Sequence, residues 1–193
     1  MGSVTWGFTA SLDGFIAGPG HDMSWLEEAA AESSQGAESV DGIAALAEPV
    51  GVIISGRRGY DAARAQADER GELTAEAYGG AWSGTEIVLT HRPHEIADDP
   101  AIAPMDCDVR EAVRRARQIA GEKDVQIISA DIARQALEHD LLDEMQVFVA
   151  PVFLGDGTRI FDVPGGRSVR WELVEWPQGA VSAAGGRVYR PRR

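Results

Sequence analysis

Three short polar segments follow apolar runs along the chain, and each carries residue types that bind phosphate or begin a helix. The segments are Gly56-Arg57-Arg58, Thr90-His91-Arg92 and Ser129-Ala130-Asp131. In an open α/β sheet the ligand lies outside the carboxyl ends of the strands, so strand exits are where binding residues are expected. If the three strands are parallel, their exits share one edge of the sheet. The spacing therefore predicts one ligand site built from all three segments.

Two of these exits are basic, although the chain as a whole is acidic. The formal net charge is −13, and Lys123 is the only lysine among 18 basic residues. Two arginine clusters on one edge suit a bound phosphate, because a guanidinium pairs with phosphate oxygens through two hydrogen bonds. An arginine beside the ribose 2′-phosphate favours NADP over NAD. The alternative is that Arg57 and Arg58 are ordinary surface residues at the start of a helix.

Composition narrows the classes of function. The chain has 193 residues, of which 44% are hydrophobic and 25% charged, which is typical of one globular domain spanning residues 1–193. The acidic excess disfavours nucleic acid and anionic membranes as partners. No apolar run approaches the roughly 20 residues that span a bilayer, and no leader is apparent, so we expect a cytoplasmic protein. No metal site is predicted, because His91 and His94 are separated by Pro93 and lack a further ligand at helical spacing.

The elements that would position these segments alternate between strands and helices up to Leu142. Strand patterns cover Val4–Ala10, Val50–Ser55, Glu86–Thr90, Val125–Ile128 and Met145–Leu154. Helical spacing covers Glu38–Ala47, Asp61–Arg70 and Val109–Ala120, and Ser24 and Asp131 would each cap a further helix. Val169–Trp176 and Ala180–Arg190 follow as antiparallel strands. The pattern predicts an α/β fold with a mostly parallel central sheet and antiparallel strands at one side.

Several segments resemble one known family, and they occur in the order expected for it. They are TASLDGFIAGP, ISGRRGYD, YGGAWSGTEIVLTHRP, and ADIARQALEHDLLDE followed by VAPVFLGDGTRIF. The chain resembles the reductases that include dihydrofolate reductase, in particular the C-terminal reductase domain of the bifunctional riboflavin-biosynthesis enzyme. The resemblance implies a three-layer dihydrofolate reductase-like fold, NADP(H) as cofactor, a small pyrimidine- or pterin-like substrate and pairing as a homodimer. It also implies that the adenosine phosphate end is held after the GR and LT motifs.

The first loop is assigned through the same resemblance. Ser11-Leu12-Asp13-Gly14 matches the family loop near the nicotinamide and the substrate, where Asp13 would orient substrate or relay a proton. Asp13, Phe15 and Trp25 are the predicted substrate-binding residues, and Ala17 and Ile132 complete the predicted cofactor-binding set. The alternative for Asp13 is structural, since Asp-Gly is a favourable turn pair.

The third exit departs from the family pattern. Relatives commonly carry two glycines after this strand, where the backbone approaches the pyrophosphate, whereas this chain reads Ile128-Ser129-Ala130-Asp131. A carboxylate there would repel the pyrophosphate by about 1–4 kcal/mol at about 4 Å. The chain is therefore either a reductase or a relative that is non-catalytic or binds another ligand. A third hypothesis is a protein–protein module that uses the exposed part of Met145–Leu154.

Overall fold

An eight-stranded sheet runs through the part of the chain described by the computed structural model, residues 2–26, 40–70, 77–96, 99–174 and 185–192. The strands, including a separate β2–β8 pair, are β1 Val4–Ala10, β2 Phe15–Ala17, β3 Val50–Gly56, β4 Thr85–Leu89, β5 Ile102–Met105, β6 Asp124–Ile127, β7 Glu144–Val149, β8 Thr158–Arg159, β9 Trp171–Leu173 and β10 Arg187–Pro191. The α-helices with described bounds are α1 Val40–Ala47, α2 Arg57–Arg70, α3 Val109–Ala120 and α4 Ala130–Glu138. Among the described residues, no helix combines the length and the apolar character needed to cross a membrane.

The sheet is parallel over most of its width. Its strand order is β5-β4-β3-β6-β1-β7-β10-β9. Every pair from β5 to β7 is parallel, whereas β10 pairs antiparallel with both β7 and β9. Parallel neighbours require crossover connections, and helices α2, α3 and α4 lie in such connections. The predicted α/β fold, with antiparallel strands at one side, is confirmed.

The main core lies between the sheet and helices α3 and α4. Ile54 of β3 and Ile127 of β6 are fully buried against this helical layer. Ala112 and Ala116 of α3 and Ala133 of α4 are also fully buried in the same cluster. Small side chains at these helix positions let the helix backbones approach the sheet, so that the strand exits and the start of α4 are held rigidly together.

Some predicted strand bounds are wrong. The strand predicted over Met145–Leu154 ends at Val149, just before Ala150 and Pro151. Proline has no N–H for the ladder, and the chain turns here toward the first loop, where the backbone N–H of Leu12 donates to the Val152 carbonyl. Of the two predicted C-terminal strands, the first is shortened to β9. The second is described only from residue 185, and residues 175–184 lie outside the described part.

Two predicted helix caps are also wrong. Helix α4 begins at Ala130 with Ser129 in the N-cap position, so Asp131 lies in the first helical turn rather than capping the helix. Ser24 is already helical, and its backbone N–H donates to the Asp22 carboxylate at 3.0 Å. Helix α2 begins at Arg57, directly after β3 and four residues earlier than the predicted start.

Because Ile54 is fully buried, we predict that truncating its side chain destabilises the fold. Ile54→Ala should lower the free energy of unfolding by about 2–5 kcal/mol, because the substitution removes buried methyl groups and leaves a cavity in a packed layer. Ile119→Ala is the matched control, since Ile119 is 48% exposed and should change stability by less than about 1 kcal/mol. Urea unfolding of both variants measures the difference. Equal losses would contradict this description of the core.

Candidate functional site

A cleft of about 370 Å³ opens at the carboxyl edge of the parallel strands. It is bounded by the start of α2, the start of α4, the β2 strand and the loop that follows β7. Its lining consists of Phe15, Arg58, Ala130, Asp131, Arg134, residues 155–160 and Asp162. This is the place where ligands bind in open α/β sheets. The structure thus brings Phe15, Arg58, Ala130 and Asp131 of the predicted site together.

The exits of β3 and β6 approach each other closely at the cleft. A Cβ atom at Gly56 would lie 3.3 Å from Ser129 Oγ and 3.6 Å from Ile132 Cδ1. Ser129 occupies the N-cap position of α4, but its side chain makes no capping hydrogen bond. The first backbone N–H groups of a helix have no partner within the helix and favour an anion. The start of α4 therefore supplies positive potential to the cleft without using a glycine pair.

Three arginines line the cleft, and they differ in whether a carboxylate neutralises the positive charge. Arg134 donates to Asp131 at 2.7 Å and to Glu138 at 2.7 Å, so its charge is neutralised within α4. Arg159 has its guanidinium carbon 4.5 Å from the centroid of the Phe15 ring. Among the described residues, neither Arg159 nor Arg58 has a carboxylate within the 4.0 Å of an ion pair. These two side chains are the cations available to a bound anion.

Asp131 faces the cleft but is held by its own helix. Its carboxylate accepts from Arg134 at 2.7 Å and from the Gln135 amide at 2.8 Å. Partial burial alone would raise the pKa of Asp131, but these hydrogen bonds and the charges of Arg134 and Arg58 together lower it. Asp131 is therefore an anion whose charge is largely offset by Arg134. The repulsion expected from the sequence is correspondingly reduced.

Asp13 joins the first loop to the wall of the cleft. Its carboxylate accepts from the Ser11 hydroxyl at 2.6 Å, from the Leu154 N–H at 3.1 Å and from the Gly155 N–H at 2.7 Å. The Ser11 hydrogen bond is the main cause that lowers the pKa of Asp13 to about 2. A carboxylate engaged by three donors is suited to positioning the loop, and the catalytic role of Asp13 stays a prediction.

The other basic residues of the predicted site contact carboxylates outside the cleft. Arg57 Nε lies 2.7 Å from the Asp61 carboxylate, and Arg92 Nη1 lies 3.0 Å from Glu95. His91 Nδ1 lies 2.9 Å from Asp106, with the imidazole almost fully exposed. Thr90 uses its hydroxyl to accept the backbone N–H of Arg92. The two basic exits therefore share a sheet edge, as predicted, but Arg57 and Arg92 are already paired with carboxylates, whereas Arg58 has no such pair among the described residues.

Buried residues account for the remaining predicted positions. Ile132 is 5% exposed and belongs to the main core, while Ala17 lies in β2 and pairs with Thr158. Trp25 is 5% exposed, and within the described part of the chain its indole N–H has no hydrogen-bond partner. A buried donor without a partner in the protein needs another acceptor, such as a water molecule or a ligand. Trp25 is not among the residues that line the cleft, so its contact with a substrate stays a prediction.

Sequence reasoning missed the loop that forms the far wall of the cleft. Asp156, Arg159 and Asp162 line the cleft, and none of them was predicted as a site residue. Gly157 has φ 134°, and a Cβ atom there would lie 2.0 Å from the Ala17 carbonyl oxygen, so only glycine fits against β2. The signal was the GDG turn directly after a strand, which indicates backbone packed closely against another segment.

Asp13→Asn tests the connection between the first loop and the cleft wall. An amide offers one acceptor oxygen and turns its NH₂ toward a donor, so one of the Leu154 and Gly155 hydrogen bonds is lost. Hydrogen exchange of the amide that loses its acceptor should accelerate by about an order of magnitude. Asp156→Asn, in the same loop, is the control and should leave both amides protected. Unchanged exchange in Asp13→Asn would refute the connection.

The lowered pKa of Asp13 also sets a pH window. Its pKa of about 2 in the folded chain lies below its ordinary value of 3.8, so ionised Asp13 stabilises the folded state. This contribution is complete above about pH 4 and is lost as the pH falls through about 2. Protection of the Leu154 and Gly155 amides, corrected for intrinsic exchange, should therefore stay constant from pH 7 to pH 5.

The sequence and the fold were each compared with those of known proteins. The sequence profile described as the RibD C-terminal domain matches residues 3–182. No curated protein sequence matches the chain. A Shewanella sp. PV-4 protein assigned to riboflavin biosynthesis superposes with a TM-score of 0.69 at 17% identity, over 99% of both chains.

Two further structures share the fold. RibD from Acinetobacter baumannii aligns with a TM-score of 0.62 at 17% identity, and the match covers all of this chain but only 59% of that protein. Dihydrofolate reductase from Enterococcus faecalis, solved with NADP(H), aligns with a TM-score of 0.56 at 15% identity over 99% of this chain and 97% of the reductase. The chain belongs to the RibD C-terminal domain family and has the dihydrofolate reductase-like fold.

Proposed function

We propose that this chain is a reductase of the riboflavin-biosynthesis type that uses NADP(H) to reduce a small pyrimidine- or pterin-like heterocycle. The observation that carries the proposal is the cleft at the carboxyl edge, where Arg58 and Arg159 have no carboxylate partner among the described residues. An acidic protein that leaves two arginines uncompensated in one cleft has a place for an anionic ligand. Membership of the RibD C-terminal domain family supports a pyridine dinucleotide as that ligand.

The residues present fit the pyrophosphate of such a cofactor. Arg58 and Arg159 would pair with its oxygens, and the N-terminus of α4 at Ser129 and Ala130 would add backbone donors. Gly56 allows the two strand exits to approach, which keeps this surface continuous. When bound, the cofactor supplies a hydride, and the protein supplies position and electrostatics.

The substrate would lie on the β1–β2 side of the cleft. Phe15 lines the cleft beneath the Arg159 guanidinium and is 3% exposed, so it would support the substrate side from below. The indole N–H of Trp25 offers a donor to a heterocycle nitrogen or oxygen. Asp13 would act by holding the cleft wall at Leu154 and Gly155, which fixes the geometry between the two ligands.

A second function is favoured by one specific feature of the cleft. Three carboxylates line it, at Asp131, Asp156 and Asp162, and the glycine pair is missing. These features suit a relative that is non-catalytic or binds a different ligand in the same cleft. The two functions differ in whether a pyridine dinucleotide binds at all.

Further properties belong to the same proposal. We propose a single domain over residues 1–193 in a cytoplasmic protein, with no nucleic acid or membrane partner. A homodimer is supported by two apolar side chains near the end of β7, since Val149 is 58% and Phe153 is 74% exposed. Large apolar groups exposed together mark candidate contact surfaces.

The direct experiment is a titration of the purified protein with NADPH, NADH and a flavin. Calorimetry should give saturable binding of NADPH, and the reductase proposal requires it. Binding of the flavin alone would favour the second function, and so would the absence of dinucleotide binding.

Arg58→Ala tests which arginine holds the cofactor. Loss of a charge-assisted contact to the pyrophosphate should weaken binding of both NADPH and NADH by about 5- to 150-fold, the equivalent of about 1–3 kcal/mol. The losses should be equal, because both cofactors carry the pyrophosphate. Arg110→Ala, in the first turn of α3 and outside the cleft lining, is the control and should bind like the wild type. A variant that binds unchanged would remove Arg58 from the site.

Asp131→Asn tests the carboxylate at the start of α4. The substitution removes a negative charge from the cleft, so dinucleotide affinity should rise by about two- to tenfold, within the range of a partly exposed pair. Glu138→Gln is the matched control: it also removes a carboxylate from Arg134, but Glu138 does not line the cleft. If both variants gain equally, Arg134 and not the Asp131 charge controls affinity.

A further inference from the structure

Glu95 lies between the arginines of two neighbouring strand exits. It ends the short 3₁₀ helix Pro93–Glu95, which follows β4. One carboxylate oxygen is 3.0 Å from Arg92 Nη1, and the other is 3.4 Å from Arg57 Nη1. Each oxygen therefore faces a different guanidinium, one from the exit of β3 and one from the exit of β4.

The contact of Glu95 with Arg57 is longer than its contact with Arg92. Arg57 Nη1 is buried and has no well-aligned hydrogen-bond partner among the described residues, although the Glu95 oxygen is within ion-pair distance. The Nε side of the same guanidinium is held by Asp61. A guanidinium whose outer nitrogen is buried but not hydrogen-bonded is poorly satisfied, and a larger anion with more oxygens would satisfy it better.

The charges of the four side chains in this cluster also cancel. Arg57 and Arg92 contribute two positive charges, and Asp61 and Glu95 contribute two negative ones. In dinucleotide sites, an arginine beside the adenosine ribose accommodates the 2′-phosphate, whereas an acidic residue accepts the 2′-hydroxyl and favours the cofactor without that phosphate. This cluster has both types of residue, paired with each other, and therefore offers little net attraction to a phosphate.

We propose that Glu95 is a specificity-determining residue: its carboxylate occupies the Arg57–Arg92 pair as a built-in anion, so that the site accepts NADH as readily as NADPH. The inference rests on the proposed function and adds to it which cofactor is selected. A 2′-phosphate must displace Glu95 from both arginines before it gains their charges. The 2′-hydroxyl of NADH needs no such displacement.

The test compares the two cofactors in wild type, Glu95→Gln and Glu111→Gln. Glu111 is the matched control because it also contacts two arginines, Arg114 and Arg115, but on the outer face of α3. Calorimetry should give wild-type dissociation constants for NADPH and NADH that agree within about threefold. Glu95→Gln should tighten NADPH about tenfold or more and leave NADH unchanged, since a freed arginine pair gains charge-assisted hydrogen bonds. Glu111→Gln should change neither.

A wild-type preference for NADPH of tenfold or more would overturn the inference. So would a Glu95→Gln variant that gains no more for NADPH than the Glu111→Gln control. Circular dichroism and urea unfolding establish that each variant is folded before binding is compared. Glutamine keeps the shape of glutamate, which limits the structural change to the loss of charge.

A smaller probe separates this inference from the proposed function. Adenosine 2′,5′-bisphosphate carries the 2′-phosphate without a nicotinamide, and 5′-AMP is its counterpart without the 2′-phosphate. If the wild type binds neither dinucleotide, the reductase proposal fails, but Glu95→Gln should still bind the bisphosphate about tenfold tighter than the wild type. The affinity for 5′-AMP should not change. Equal binding of the bisphosphate by the wild type and Glu95→Gln would overturn the assignment of Glu95.

Discussion

Parallel pairing of β3 with β6 is the constraint on which the site depends. It brings the exits of both strands to one edge, where Gly56 packs against Ser129 and helices α2 and α4 begin side by side. The buried layer beneath them, with Ile54 and Ile127 against small residues of α3 and α4, prevents either exit from moving separately. Two helix N-termini are thereby held at a fixed separation. An anionic ligand can use both because neither has to be repositioned.

Charge compensation decides what this edge can bind. In a chain of net charge −13, most described arginines have acidic partners, including Arg57, Arg92 and Arg134. Surface pairs of this kind contribute little to stability, but each one removes a cation from the set that a ligand could use. Arg58 and Arg159 differ because neither has an ion pair among the described residues. Arg58 acts on Asp131 only through its charge, and Arg159 lies over the Phe15 ring. An anion is therefore expected to bind beside Arg58 and Arg159 and not beside the paired arginines.

The far wall of the cleft is held from the opposite end of the chain. Asp13 accepts from the Leu154 and Gly155 amides, and β2 pairs with β8 through Phe15 and Arg159. Both connections join the first loop to the segment after β7, so the shape of the cleft depends on contacts between residues more than 140 positions apart. A loop fixed in this way holds the Arg159 guanidinium over the Phe15 ring, which is 3% exposed. This arrangement positions two chemical groups, a cation and an aromatic face, that neither loop would hold alone.

Local pattern alone was enough to predict the strand–helix alternation, the mostly parallel sheet and the shared edge of the exits, because periodicity and β-branched runs are properties of neighbouring residues. The resemblance of the motifs predicted the family. Pattern could not predict that Asp61 and Glu95 hold Arg57 and Arg92, or that Arg134 holds Asp131, since side-chain pairing depends on which groups the folded backbone brings within reach. It also placed the end of β7 too late and missed Arg159. Those features depend on how the segment after Val149 packs against the first loop, which is a long-range contact that only the tertiary structure determines.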